Sequence, residues 1–404
     1  MPAPSAAAAP PARLRAQPGV PWFFAVASLA RLAGEMATVA VVLLVLDRTG
    51  SARLGGLTVA AATLPSVVSG PLLGAWLDRT GRRREALAAN QVLLAASLGG
   101  MLPAAGHAPG WTLPALALAA GSLAPMTTGG LTSMLAELVP AGLFARGSAV
   151  EAASFNTAAV AGPALAGAIA AAAGPGVAVA ALVALALAGL GLLLLVPATA
   201  PAQAAADRSL GQALRAGIRH LARTPVLRGV TAATAGGYGA LGLLTVALPY
   251  LAAELGHGRS AAGLLWAAFD LGSIAGALGL ARARRGWTPE RVVGGGLLAM
   301  GAVMLTWPSA RSLPLAAALV ALAGLADGPA FAATFAVRRQ WSPPDLYGQI
   351  FTTAASLKVG AFAAGAAAAG PVVLRLGPGA AVVTAGMAQF AAVALGWLLA
   401  RGRR

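Results

Sequence analysis

Five ionisable side chains stand near the middle of long apolar runs: Arg31, Glu35, Asp270, Asp327 and Lys358. At the centre of a helix in hydrocarbon each costs roughly 2.5–3.5 kcal/mol, and the set on the order of 10 kcal/mol. Groups that costly must face protein or water and be paired. Arg31 and Glu35 are one helical turn apart and can meet directly. Lys358 can reach Asp327 or Asp270 if the runs that carry them adjoin. Three acids against two bases leave one acid in excess. A buried acid without a counter-ion is a proton-binding group, so Glu35, Asp270 and Asp327 are candidate proton carriers. The alternative is a static charge network that fixes helix packing.

The elements that hold these charges follow from composition. The chain has 404 residues, 58% apolar and 10% charged, whereas soluble domains carry about 25% charged residues. Hydrocarbon is therefore the main solvent. Only helices and closed barrels satisfy every backbone group there. The runs are continuous rather than alternating over about 10 residues, which selects helices. Twelve spans are expected, roughly 21–46, 55–77, 86–106, 111–139, 147–173, 176–197, 229–253, 260–282, 291–308, 312–337, 346–371 and 378–400. The fold class is thus an all-α membrane protein, twelve transmembrane helices in two six-helix pseudo-symmetric bundles. Residues 1–19 read as a disordered cytoplasmic tail and 20–197 as the first bundle. Residues 198–228 read as a cytoplasmic linker with an amphipathic helix, and 229–404 as the second bundle with a short basic tail.

The net charge of +16 argues for loop placement rather than nucleic-acid binding. With the N-terminus inside, 21 of the 28 basic residues fall in inner loops and tails. Five fall outside (Arg48, Arg53, Arg259, Arg311 and Arg375), and Arg31 and Lys358 stay within spans. That bias is the positive-inside pattern and places both termini in the cytoplasm of a cell inner (plasma) membrane protein. Trp22, Trp76, Trp111, Trp287, Trp307, Trp341 and Trp397 fall near span ends, where amphipathic rings prefer the headgroups. Thr38 to Ser69 can be laid on Thr245 to Gly276 without gaps, pairing Gly56 with Gly263 and Ser66 with Ser273. This places span 1 on span 7 and span 2 on span 8, a parallel repeat of two halves. In the linker, Leu210, Leu214, Ile218 and Leu221 form one face beside Arg215, Arg219 and Arg223, as in an interfacial helix.

Polar faces recur on four spans that the repeat makes equivalent. Span 1 carries Ser28, Arg31, Glu35 and Thr38; span 4 carries Thr128 and Thr132. Span 7 carries Thr231, Thr234, Tyr238 and Thr245; span 10 carries Asp327, Phe331 and Thr334. Together they predict one aqueous cavity bounded by spans 1, 4, 7 and 10, with ordinary interhelical hydrogen bonds as the alternative. Asn156, Gln349 and Gln389 are further polar candidates within spans.

Between spans 2 and 3 lies Gly74-Ala75-Trp76-Leu77-Asp78-Arg79-Thr80-Gly81-Arg82-Arg83-Arg84. The glycines permit a tight turn, Asp78 can sit at a helix N-terminus, and Arg79, Arg82 and Arg83 hold the loop at the inner surface. The pattern G-x-x-x-D-R-x-G-R-R resembles the signature loop between helices 2 and 3 of the major facilitator superfamily. The preceding Asp47-Arg48-Thr49-Gly50-Ser51 and the stretch from Arg146 to Gly167 look most like its drug-efflux, twelve-helix branch. Gly162-Pro163 with Gly167 resembles, incompletely, the Gly-Pro motif on helix 5 of drug antiporters, and is expected to break span 5 as a hinge or to serve packing. The resemblance implies two bundles, a central cavity, rocking-bundle alternating access, and contact of Asp78 with the start of helix 11 near Asp345. It departs at Ala117, where efflux members often carry Arg in an R-x-x-x-G pattern ending here at Gly121.

The expected function is secondary active efflux of hydrophobic or amphipathic small molecules, coupled to protons. An importer or facilitator of a small polar metabolite is the alternative. The expected partners are the small-molecule substrate, protons and the lipid bilayer, with no nucleic acid, and the chain is expected to be a monomer. No cofactor and no metal are expected. His107, His220 and His257 are too scattered for a metal site, cysteine is absent, and no G-x-x-x-x-G-K-[ST] loop serves a nucleotide. An enzyme is disfavoured because no nucleophile–base pair appears.

Overall fold

The computed structural model describes residues 14–127, 129–197, 210–282, 287–343 and 346–401. Thr128 and Asp345 lie outside the described residues, as do the side-chain surroundings of Gly74, Asp78 and Arg79. The proposed contact of Asp78 near Asp345 therefore falls outside them too.

No strand occurs among the described residues. The first half contains α1 (Val20–Thr49), α2 (Ala52–Thr63), α3 (Ser66–Thr80), α4 (Arg83–Ala104), α5 (Thr112–Gly121), α6 (Gly129–Leu138), α7 (Phe144–Ala173) and α8 (Pro175–Leu193). After α9 (Leu210–Arg223) come α10 (Pro225–Glu254), α11 (Ala262–Arg282), α12 (Pro289–Met304), α13 (Leu313–Trp341) and α14 (Tyr347–Ala400). Among the described residues, ten helices are long and apolar enough to cross a membrane. Gly377, at φ 81°, divides the 54-residue α14 into two crossings, a conformation open to glycine. The interrupted α5–α6 pair makes one more, giving twelve crossings in two six-helix bundles.

Apolar side chains cover the outside as well as the core. Leu194, Leu374, Val68 and Leu398 are all more than 60% exposed. In water such a surface would be a large apolar patch; against lipid tails it is the expected one. Trp22, Trp76, Trp111, Trp287, Trp341 and Trp397 are exposed near helix ends, while Trp307 is buried at 1%. Its place at a span end is thus structural packing rather than headgroup contact.

Two spans are broken where one helix was expected. Span 2 is interrupted at Leu64–Pro65, where proline has no N–H to continue the ladder. Span 4 passes through a 3₁₀ turn, Ala124–Thr127, which contains Pro125. Span 5 departs from expectation the other way. α7 runs unbroken through Gly162 and Pro163, since one lost backbone bond is tolerated where neighbouring helices pack closely. Gly162 has its bare Cα against Glu35 and Met36 of α1, so this motif is a packing contact and not a break.

The halves meet through glycines at one end. Gly56 on α2 faces Ala366 and Gly370 on α14, and Gly370 in turn faces Ala52 and Arg53. Gly167 on α7 faces Ser260 and Gly263, and Gly263 faces Pro163 and Gly167. Arg259 also donates to the Leu46 carbonyl at 3.4 Å. Gly56 and Gly263, paired by the sequence repeat, thus do the same work on opposite sides of the interface.

Candidate functional site

A cavity of about 270 Å³ opens within the second half. Its wall takes Thr234, Tyr238 and Leu241 from α10, Leu297 and Met300 from α12, Asp327, Phe331, Thr334, Phe335 and Arg338 from α13, and Phe351, Lys358 and Val359 from α14. The polar stripes of spans 7 and 10 therefore share one space. Spans 1 and 4 contribute no lining residue, and spans 9 and 11 take their place. This corrects the expected four-helix boundary of spans 1, 4, 7 and 10. On span 1, Arg31 is held within its own half by Glu151 and Ser154.

Lys358 is held between rings, its Nζ 4.0 Å from the Tyr238 ring centre and 4.5 Å from that of Phe331. Tyr238 itself stacks on Phe362 at 5.5 Å. Asp327 shares the cavity wall with Lys358, and their charges interact. The Ser273 hydroxyl donates to Asp327 Oδ2 at 3.3 Å. That bond depends on a close helix crossing. Gly272 and Gly276 on α11 and Gly324 and Gly328 on α13 pack reciprocally against each other's backbones, as in small-xxx-small pairs. Asp270 lies on α11, half-buried and off the cavity wall. Glu35, Asp270 and Asp327 lie on α1, α11 and α13.

Arg31 does not pair with Glu35. It is buried, with Nη2 2.7 Å from Glu151 Oε1 on α7 and Nη1 donating to Ser154 Oγ at 2.6 Å. Thr132 on α6 donates to the same Glu151 oxygen at 2.7 Å. The guanidinium also lies 5.8 Å from the Phe155 ring centre. Spans 1, 4 and 5 are thereby tied together, and Glu35 is left without the basic partner expected for it. Thr38 is half-buried on α1 and Asn156 is exposed on α7. Neither these nor Gln349 and Gln389 line the cavity; the Gln389 amide donates to the Gly237 carbonyl at 2.9 Å.

In the basic loop, Gly81 caps α3 at φ 65° and returns its N–H to the Leu77 carbonyl at 2.8 Å. Arg82 is exposed and pairs with Glu85 at 3.1 Å. Arg83 is buried and pairs with Glu137 on α6 at 2.5 Å, and Arg84 donates to the Leu194 carbonyl at 3.1 Å. The loop is therefore anchored to spans 4 and 6 of its own half.

Two charged residues of these sites were not singled out from sequence. Glu151 stands only a few residues into span 5, and Arg338 adjoins Arg339 and was grouped with the loop cations. Each lies inside a helix longer than the twenty-residue minimum for a span, since α7 begins at Phe144 and α13 runs to Trp341. Two G-x-x-x-G pairs, Gly272 with Gly276 and Gly324 with Gly328, also not singled out from sequence, mark the α11–α13 crossing.

Twelve crossings in two bundles that meet through glycines, with a charged cavity among the helices of the second, describe a multi-pass membrane protein of the kind that carries solutes. The sequence profile of the Major Facilitator Superfamily matches residues 23–246. An uncharacterised MFS-type transporter of Sinorhizobium fredii (strain NBRC 101917 / NGR234), y4rN, is 31% identical over 371 residues, 88% of this chain and 89% of that protein. The chain belongs to the major facilitator superfamily, whose members are secondary transporters. The fold is similar to that of a D-xylose–proton symporter, with a TM-score of 0.75 at 16% identity over 95% of this chain and 99% of that one. It is also similar to a bacterial homologue of the human lysosomal transporter Spinster in an inward-facing, unoccupied conformation. There the TM-score is 0.72 at 14% identity, over 94% of this chain and 96% of that one.

Proposed function

We propose that the chain exports hydrophobic or amphipathic small molecules across the cell membrane in exchange for protons, as a monomer working by alternating access. The observation that carries this reading is the cavity itself. Its wall is mostly aromatic and aliphatic, and it holds Asp327 and Lys358. Intramembrane ionisable groups facing a cavity mark substrate and ion pathways. Glu35, Asp270 and Asp327 lie on three helices drawn from both halves. A proton on one of them changes the charge between the bundles and so the preferred arrangement of the halves. With both termini in the cytoplasm, the glycine seal lies at the outer end, and the conformation is the one that receives substrate from inside. Gly74, Asp78, Arg79 and Gly81 through Arg83 then act where the opposite, cytoplasmic end closes. No chemical step is made on the substrate.

The test is substrate-driven proton flux in proteoliposomes, with Glu35→Gln, Asp270→Asn and Asp327→Asn examined separately. At least one variant is expected to bind substrate while losing proton movement. Unchanged coupling in all three ends the proton assignment. Accumulation of substrate inside cells on expression, instead of its loss, reverses the direction.

A further inference from the structure

We propose that α9 docks on the anionic lipid headgroups of the inner leaflet through one basic face, made by Arg215, Arg219 and Arg223 beside Ile218. This takes from the reading above only that this end of the molecule is cytoplasmic.

One side of α9 is occupied by protein. Gly217 is buried, its bare Cα against Gln349 and Ile350 at the start of α14. Leu221 is 8% exposed and belongs to the core of the second half. His220 Nε2 lies 3.1 Å from the Trp341 carbonyl at the end of α13. The opposite side is free. Arg215, Ile218, Arg219, Ala222 and Arg223 are all exposed and follow i, i+3, i+4, i+7 and i+8, one stripe of a helix. No carboxylate among the described residues pairs with these three arginines, and α9 itself contains no acid. Of the apolar face expected from sequence, Leu221 turns to protein and Ile218 stands at the edge of the basic stripe.

The bonds at the end of α9 fix its height. Arg228 Nη1 donates to the Ala222 carbonyl at 2.9 Å, and its Nε and Nη2 donate to the Leu399 carbonyl at 3.1 and 2.6 Å. Near Leu399 the Arg401 guanidinium lies 3.1 Å from the Trp397 ring centre. Both Trp397 and Trp341 are exposed at the ends of their spans. Tryptophans so placed sit in the headgroup layer. α9 is therefore tied to the ends of the tenth and twelfth crossings at that layer, and α10 starts directly after it at Pro225. An apolar side chain flanked by arginines at this height suits an anionic bilayer surface. Ile218 enters the acyl boundary while the guanidiniums bind phosphates. Each such arginine favours the anionic surface by about fivefold. A soluble acidic partner would also meet three arginines, but it leaves the tie to the tryptophan layer without a reason.

The chain has no cysteine, so Ile218→Cys carries a single nitroxide. The full-length protein is placed in nanodiscs of phosphatidylcholine alone and of phosphatidylcholine mixed with phosphatidylglycerol. Paramagnetic resonance reads the label's access to oxygen and to a water-soluble nickel chelate. In the mixed discs the label should gain oxygen contact and lose nickel contact, and raised salt should reverse the change. With Arg215→Gln, Arg219→Gln and Arg223→Gln combined, the two lipids should give one reading. All three sites are exposed, so folding should be kept. A label at Ala222→Cys, on the same stripe, repeats the test if the first variant fails to fold. A label equally wet in both lipids overturns the proposal and assigns the face to water or a soluble partner. A response to phosphatidylglycerol that survives the triple substitution overturns it as well. The discs carry the same lipid on both faces and no transport is scored, so the outcome is independent of orientation, direction and proton coupling.

Discussion

The two halves bury charge in opposite ways. In the first, Arg31 pairs with Glu151 and donates to Ser154, and Thr132 donates to the same Glu151 oxygen. In the second, Lys358 and Asp327 stand on the wall of a cavity, met by rings and one serine. Both meet the same requirement, that an ion in the membrane face protein or water. A closed network fixes helices, whereas an open one keeps its charges available to a solute. The fold is shared by both halves; the cavity with charges on its wall lies in the second.

The largest effect expected from this contrast is in the closed network. Glu151→Ala leaves Arg31 buried without its carboxylate and should cost about 3–5 kcal/mol of stability, read as loss of the folded fraction on heating in detergent. Replacing both partners, Arg31→Met with Glu151→Leu, should recover most of that loss. If the double variant is as unstable as the single one, the network does more than satisfy its own charges.

Next comes the glycine crossing that positions Asp327. Gly324→Leu forces α11 and α13 apart and should destabilise by about 1–3 kcal/mol, with transport falling further than stability explains. A variant stable and fully active would detach Asp327 from the crossing.

Lys358→Met sharpens the comparison from the other side. Lys358 is held by rings, with no carboxylate of the described residues at ion-pair distance, so its replacement strands no bonded partner and should cost less stability than Glu151→Ala. Transport should be lost nonetheless. A loss of stability as large as that of Glu151→Ala would make the two halves alike. The smallest effect belongs to the rings: Phe331→Leu should weaken the hold on Lys358 by about 0.5–2 kcal/mol, visible as a modest rise in KM for transport.

Much of the fold was legible, because long apolar runs and the arginine bias obey constraints that lipid enforces strictly. The site was legible in part. Tyr238, Asp327 and Lys358 stood out because a polar group in such a run is costly wherever it lies. Their neighbours were harder to read. Spacing on one helix put Glu35 within reach of Arg31, but a partner on the adjacent α7 won, since the long guanidinium side chain can cross between helices. Glu151 and Arg338 resembled interfacial residues because α7 and α13 extend beyond the minimum length of a span. The cavity boundary depended on which helices pack around the second-half stripes, which periodicity does not encode.

The central claim is alternating access about the glycine seal, and the absence of native cysteines allows a clean measurement. Spin labels at Asp47 and His257 report the sealed end, and labels at Arg82 and Arg339 report the opposite end. On adding substrate with a proton gradient, the first distance should lengthen as the second shortens. Two distances that stay fixed, or that change in the same direction, would contradict the account.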